Sequence, residues 1–242
     1  MSVFDLFKFP RKRPRIVRTG SDSPSLIEYG EEAGLPRVGL YTGPKQEELD
    51  RRDEYFRRVF GECDKVYHET IPMIPHIDVH VFPTRHEDVD FFTLVTTGMS
   101  DLPMTPSPDH EGAPTRAELL MYVSEPRTRY IEVMRMLAHL PHDLASWFDY
   151  AHTVPNGSPP APLFDEDSKL DTFVFMPPIL CSDDELLNSF QIDGEPVRLL
   201  WTVPITTSEC NLKLEQGYLA LMDLFDDNEF SPVLSGDRES FI

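Results

Sequence analysis

The sequence predicts an α+β fold, one domain in which a mainly antiparallel or mixed β-sheet is flanked by helices. Three observations carry that prediction. Short apolar runs with strand periodicity recur along the chain, beginning with the pair at residues 77–82 and 91–97. Helical patterns stand at both ends of the strand-rich stretch, and no internal repeat is visible. The 23 prolines demand short elements and irregular connections. They disfavour a helical bundle, because proline ends helices and interrupts central strands.

Residues 1–44 read as a basic and polar tail, expected to be partly disordered and set apart from the domain at 45–242. Residues 45–60 predict a helix, with Leu49, Tyr55 or Phe56, and Phe60 set against a charged remainder. Strands are predicted at 65–69, 77–82 and 91–97. In the second, Ile77, Val79 and Val81 face one side while His76, Asp78 and His80 face the other. The third is apolar on both faces, as a central strand should be. It runs into the corner Gly98-Met99-Ser100-Asp101, where Asp101 is placed to cap a turn.

Residues 101–116 form a proline-rich loop, and 119–123 predict another strand. Residues 127–140 give the clearest amphipathic helix, with Tyr130, Met134 and Leu137 on one stripe, Ile131 beside it, and Pro141 closing it. Residues 147–150 and the turn Pro155-Asn156-Gly157 lead into a loop at 158–169. Strands follow at 172–176 and 197–205, the latter alternating through Val197, Leu199, Trp201, Val203 and Ile205. Pro204 predicts that this is an edge strand, or that a ladder ends there. Thr206 with Glu209 forms a capping box for a last helix reaching to about Phe225.

Charge narrows the partners. The formal net charge is -20, and it is unevenly spread. Residues 1–18 hold six basic side chains against Asp5 alone, which leaves 16 basic and 41 acidic residues elsewhere, a net of -25. A body of that sign repels nucleic acid and anionic lipid, and steers basic protein partners toward it. The plainer reading is that acidity maintains solubility. Cys63, Cys181 and Cys210 form no CxxC pair, which suits a reducing compartment. No apolar run has the length of a membrane span, and the start lacks a secretory h-region, so a cytoplasmic protein is expected.

Candidate chemistry is sparse. His76, Asp78 and His80 alternate on one strand face, a geometry from which a metal-assisted hydrolase can be built if a third good ligand and an open position are added. His86, His142 or His152 could complete it, none with motif spacing. The favoured reading is a polar face whose histidines bond to neighbouring carboxylates. His142, Asp143 and His152 flank Trp147, Phe148 and Tyr150, yet no GxSxG elbow supplies a nucleophile, and Ser100 sits in GMSD without a second glycine. No Walker or Rossmann pattern occurs, so no cofactor, no metal and no catalytic residue is assigned. Residues 183–185 and 223–227 read as solvated acidic faces. Trp147, Phe148 and Trp201 are either interface aromatics beside acids or core residues.

Three segments, taken together, resemble the suppressor-of-fused domain family. They are HIDVHVFPT followed by FFTLVTTGMSDLPM, then LAHLPHDLASWFDYAHTVPNG at 137–157, then LLWTVPITTSECNLKLEQGYLALMDLF at 199–225. They stand in order over roughly residue 66 to the end. The resemblance implies an α+β fold without established enzymatic activity. In animals such proteins hold transcription factors of Hedgehog signalling by clamping a short extended segment between two domains. Bacterial members resemble the first of those domains and are associated with immunity to polymorphic toxins. The length here leaves no room for a second domain, so the bacterial single-domain type is expected, with a basic toxin or an extended peptide as the partner. His76, Asp78, Asp101, His142, Trp147, His152 and Asn156 lie in the matching segments and are the candidate binding or turn-forming residues. Asn156-Gly157 favours the shaping of a tight turn.

Overall fold

The tail contributes one antiparallel pair, β1 (Arg15–Arg18) against β2 (Pro24–Glu28), with Arg15 opposite Glu28. The computed structural model describes residues 15–18, 24–28, 44–71, 73–180 and 184–242, and the expected disorder of the tail concerns residues mostly outside these. Helix α1 (Gln46–Phe60) follows, then strand β3 (Lys65–Tyr67). The predicted strand pair becomes a hairpin of β4 (Asp78–His86) and β5 (Val89–Thr97), in register from Asp78 opposite Thr97 to His86 opposite Val89. Its turn, Glu87-Asp88, places Glu87 at φ 52. The remaining elements are β6 (Arg116–Val123), α2 (Thr128–Asp143), β7 (Thr153–Pro155), β8 (Thr172–Met176), α3 (Asp184–Leu187), β9 (Gln191–Ile192), β10 (Glu195–Ile205), α4 (Thr207–Gln216) and α5 (Tyr218–Asp227).

The large sheet has the order β3-β4-β5-β6-β10-β8-β7, with β9 against β10. β6 and β10 run parallel at its centre and the other ladders are antiparallel, so the mixed, mainly antiparallel sheet of the prediction is found. Both faces are covered. On one, Ile77, Val79 and Val81 pack with the Tyr130, Met134 and Leu137 stripe of α2. On the other, Tyr55 and Phe56 of α1 and Leu221 and Phe225 of α5 pack on Leu120, Trp201 and Val203. Each such side chain contributes about 1.5–3 kcal/mol by leaving water, so the two helix layers fix the sheet between them. Trp147, Phe148 and Trp201 are core residues. Among the described residues no helix is long and apolar enough to cross a membrane.

Several boundaries differ from the prediction, each for a physical reason. β6 begins at Arg116 rather than 119, because two buried charged residues, Arg116 and Glu118, break its apolar pattern. α2 runs past Leu140 to Asp143 with Pro141 inside it. Proline there forfeits only one bond near the helix end, and Leu144 N to Leu140 O (3.0 Å) and Ser146 N to Pro141 O (2.9 Å) hold the last turn. The capping box of Thr206 and Glu209 forms, but the helix it starts is divided into α4 and α5 by Gly217 at φ 95. Pro204 does not mark an edge strand. β10 bonds to β6 through Val197–Trp201 and to β8 through Trp201–Ile205, so Pro204 lies past the end of the β6 ladder.

Candidate functional site

β5 delivers the chain into the corner at Gly98, and three of the sequence-selected residues meet there. Gly98 holds φ 106, and a Cβ on it would stand 2.0 Å from the His76 carbonyl oxygen. Only glycine lets the two segments close. The short 3-10 turn Met99–Asp101 then points its amides inward. Gly98 N and Ser100 N donate to Glu118 Oε1 at 2.9 and 3.0 Å, and Ser100 Oγ donates to the same oxygen at 2.6 Å. Thr96 Oγ1 donates to Oε2 at 2.7 Å. Complete burial pushes the Glu118 carboxyl up, against the opposing pull of Arg52 and these donors.

Arg52 reaches the corner from α1. Its Nη1 donates to Asp101 Oδ1 at 2.6 Å and lies 3.9 Å from Glu118 Oε1. Burial raises the Asp101 carboxyl and Arg52 lowers it, burial prevailing. Arg116 Nη1 donates to the carbonyls of Ser100 (2.6 Å) and Asp101 (3.1 Å), and its other nitrogens meet Asp193 and Glu195 at 3.2 Å each. His142 Nε2 donates to Met99 O at 3.0 Å. The corner is a buried polar joint between α1, the sheet and α2. Ser100 is fully buried with its proton directed at Glu118, which leaves it no nucleophilic role.

Next to it, the Asp78 carboxylate sits between two imidazoles, His76 Nε2 at 3.0 Å and His68 Nδ1 at 2.8 Å, and accepts Glu69 N at 2.9 Å. Burial alone would raise that carboxyl, but the Glu69 amide and the imidazoles outweigh it and hold it low. Glu69 bonds in turn to His139 Nε2 at 2.8 Å and to Ile77 N at 3.1 Å. His80 takes no part. Its ring packs against Phe56 and Phe82, with centroids 6.4 and 6.1 Å away, and burial lowers its pKa. The proposed His76–Asp78–His80 trio is thereby corrected: the ladder starts at Asp78, so residue 76 does not follow the strand's alternation. Among the described residues no group of three or more His, Cys, Asp or Glu is disposed to hold a metal.

Trp147 and His152 do meet, ring to ring at 5.4 Å, and His110 is 5.0 Å from the same indole. Both are interior, as is His142, so the aromatic patch faces the core and not a partner. Burial, helped by Lys213, lowers His152 to about 4. Lys213 of α4 is 2% exposed, its Nζ has no hydrogen-bond partner among the described residues, and burial lowers it to about 8. Asn156 Nδ2 donates to the carbonyls of Ala161 (2.9 Å) and Pro162 (2.8 Å), the turn-shaping role expected of it. Arg52, Glu69, Glu118 and Lys213 were not singled out by the sequence. Of these, Glu118 alone carried a signal, as the one acid in the run AELLMYV.

Outward, the described surface carries groups of carboxylates. Asp223, Asp226, Asp227 and Glu229 are exposed around the end of α5, and Asp165, Glu166 and Asp167 on the loop before β8. Residues 74–239 match the family model for suppressor of fused protein (SUFU). No curated protein matches the chain. Solved structures are similar to it, three of them as follows. A SUFU homolog from Neisseria gonorrhoeae FA 1090 is 21% identical over 81% of this chain and 96% of that one, with a TM-score of 0.56. The Sufu–Fu complex crystal structure gives 14% identity, 80% and 92% coverage, and a TM-score of 0.59. Drosophila Suppressor of Fused gives 12% identity and a TM-score of 0.51, covering 68% of this chain, which spans 42% of that one.

Proposed function

The chain belongs to the suppressor of fused family, and from that premise we propose that it is a protein-binding domain acting by occupying a partner's surface. One observation carries the reading. The polar residues that a catalytic site would need are turned toward one another and toward backbone groups, as Ser100, Glu118, Asp78 and His142 are. A fold so wired is a rigid presenter of surface. A structural neighbour was solved as a complex, Sufu with Fu, which supports the same direction.

The finer reading is immunity. In the cytoplasm the protein masks a basic toxin, such as a nuclease, by stoichiometric binding and denies it an anionic substrate. The net charge of -20 and the exposed carboxylates near α5 support it. The test uses a basic toxin encoded beside this gene, with association rates measured across a salt series. Changing Asp223, Asp226 and Asp227 together to Lys should slow association by about tenfold or more at low salt and flatten its salt dependence. Identical kinetics in the two proteins would remove steering, and with it this mode of masking.

A further inference from the structure

β6 and β10 run together from Arg116 opposite Val197 to Leu120 opposite Trp201, and then part. Beyond that point β10 bonds to β8, and β6 continues with β5 on its other side. The chain's own last residues enter the gap. Leu234 N donates to Tyr122 O and Ser124 N donates to Leu234 O, both at 2.9 Å, a parallel bridge to Val123 one residue long. Val233 packs into the core on the α4–α5 side and Leu234 into the core on the α2 side, the alternation of an inserted strand.

The fit is incomplete toward β10. Pro204 has no N–H to give, the contact there is Arg238 Nη2 at 3.5 Å from Pro204 O, and a cavity of about 100 Å³ opens between the segment and Met121, Trp201 and Val203. The far end is latched by charge. Arg238 donates to both oxygens of Glu209, at 2.6 and 2.7 Å, and lies 4.5 Å from the Phe241 ring centroid. Glu209 is fully buried and belongs to α4, where it also accepts Thr206 N. The body of the domain thus holds a buried carboxylate whose guanidinium arrives on a separate extended segment.

We propose that the seam between the diverging ends of β6 and β10 is a strand-acceptor site for a partner's extended segment, one carrying an aliphatic residue and, four residues on, an arginine. Residues 230–242 occupy it in the free protein. The inference rests on the protein-binding reading and names the partner's chemistry for one surface. An incoming segment repeats the bridge to Tyr122 and Ser124, seats its arginine on Glu209, and displaces the resident strand. Main-chain bonds supply affinity and the buried carboxylate supplies selection.

The test is polarisation of a labelled synthetic peptide of residues 229–242, added to the full chain and to its Arg238→Gln variant. Loosening the resident should let the variant bind the peptide at least tenfold tighter than the unaltered protein, at one to one. A peptide bearing Arg238→Glu should not bind. Equal affinity for both proteins, or no binding to a variant whose circular dichroism is native, overturns the proposal. Should the variant not fold, hydrogen exchange on the unaltered protein decides. The Leu234 and Phe241 amides should exchange at least a hundredfold faster than those of Leu119 and Leu200, and exchange at the same rate as these overturns the proposal. A concentration-dependent dimer dissolved by the peptide would make the occupant a second copy, and also overturns it. Failure here leaves masking by the acidic face standing, because the salt-dependent kinetics above read a different surface.

Discussion

Replacing Lys213 by Met should make this protein more stable, a result opposite to that of most core substitutions. Its ammonium is buried with no hydrogen-bond partner among the described residues, and burial lowers the pKa from 10.5 to about 8. At about 1.4 kcal/mol for each tenfold change, that drop amounts to roughly 3–4 kcal/mol of destabilisation while the group is charged in both states. The folded value lies below the unfolded one, so between about pH 8 and 10.5 the unfolded chain binds more protons. Stability therefore climbs with pH across that window, and the full penalty applies below it. Methionine keeps the stem and removes the charge. Urea unfolding at pH 7 should show a gain of about 2–3 kcal/mol, shrinking toward zero near pH 10 when each variant is compared with the parent at the same pH. Because Lys213 helps to hold His152 low, the His152 titration should also move upward in the variant. A loss of 1 kcal/mol or more at about pH 7, with an unchanged denaturant slope, would refute the reasoning, since it would mean that Lys213 is paired in solution.

Other perturbations follow from the same contacts. Gly98→Ala places a methyl 2.0 Å from the His76 carbonyl at a φ of 106, and should cost about 2–4 kcal/mol in chemical denaturation; a cost below about 1 kcal/mol would show that the corner yields freely. Arg52→Met strands the buried Asp101 and Glu118 carboxyls and should cost about 3–5 kcal/mol at pH 7, with a smaller cost at pH 4 as the carboxyls take up protons. His152 titrates at about 4 in the fold against 6.5 unfolded, so the unfolded chain binds more protons as pH falls through that interval. Stability should drop by about 3 kcal/mol between pH 7 and 4 from this group, an effect missing in His152→Phe and checked by unfolding at both pH values.

Much of the fold was legible because periodicity reports what a segment buries. Ile77, Val79 and Val81 alternate and do share one core; Tyr130, Met134 and Leu137 lie on the buried stripe of α2. Periodicity failed where a charge was buried by design, as at Arg116 and Glu118, and where elements were too short to show a period, as at β7, β9 and α3. The site was less legible. Alternation holds for Asp78 and His80, which share a face of β4, yet His80 packs on Phe56 and Phe82. His76 precedes the ladder and still reaches Asp78, at 3.0 Å. Arg52, 49 residues before Asp101, is joined to it only by the packing of α1 on the sheet. Local sequence does not record such a meeting. Trp147 is as consistent with a core as with an interface until its neighbours, His110 and His152, are placed around it.

Titration of the proposed toxin partner with this protein, following the toxin's activity, addresses the mode of action most directly. Surface occupancy predicts a linear fall that ends at one equivalent, with both chains recovered chemically intact by mass spectrometry. Loss of the toxin's activity at a small fraction of an equivalent, with a covalent change in the toxin, would mean that this chain turns over, and would contradict the account.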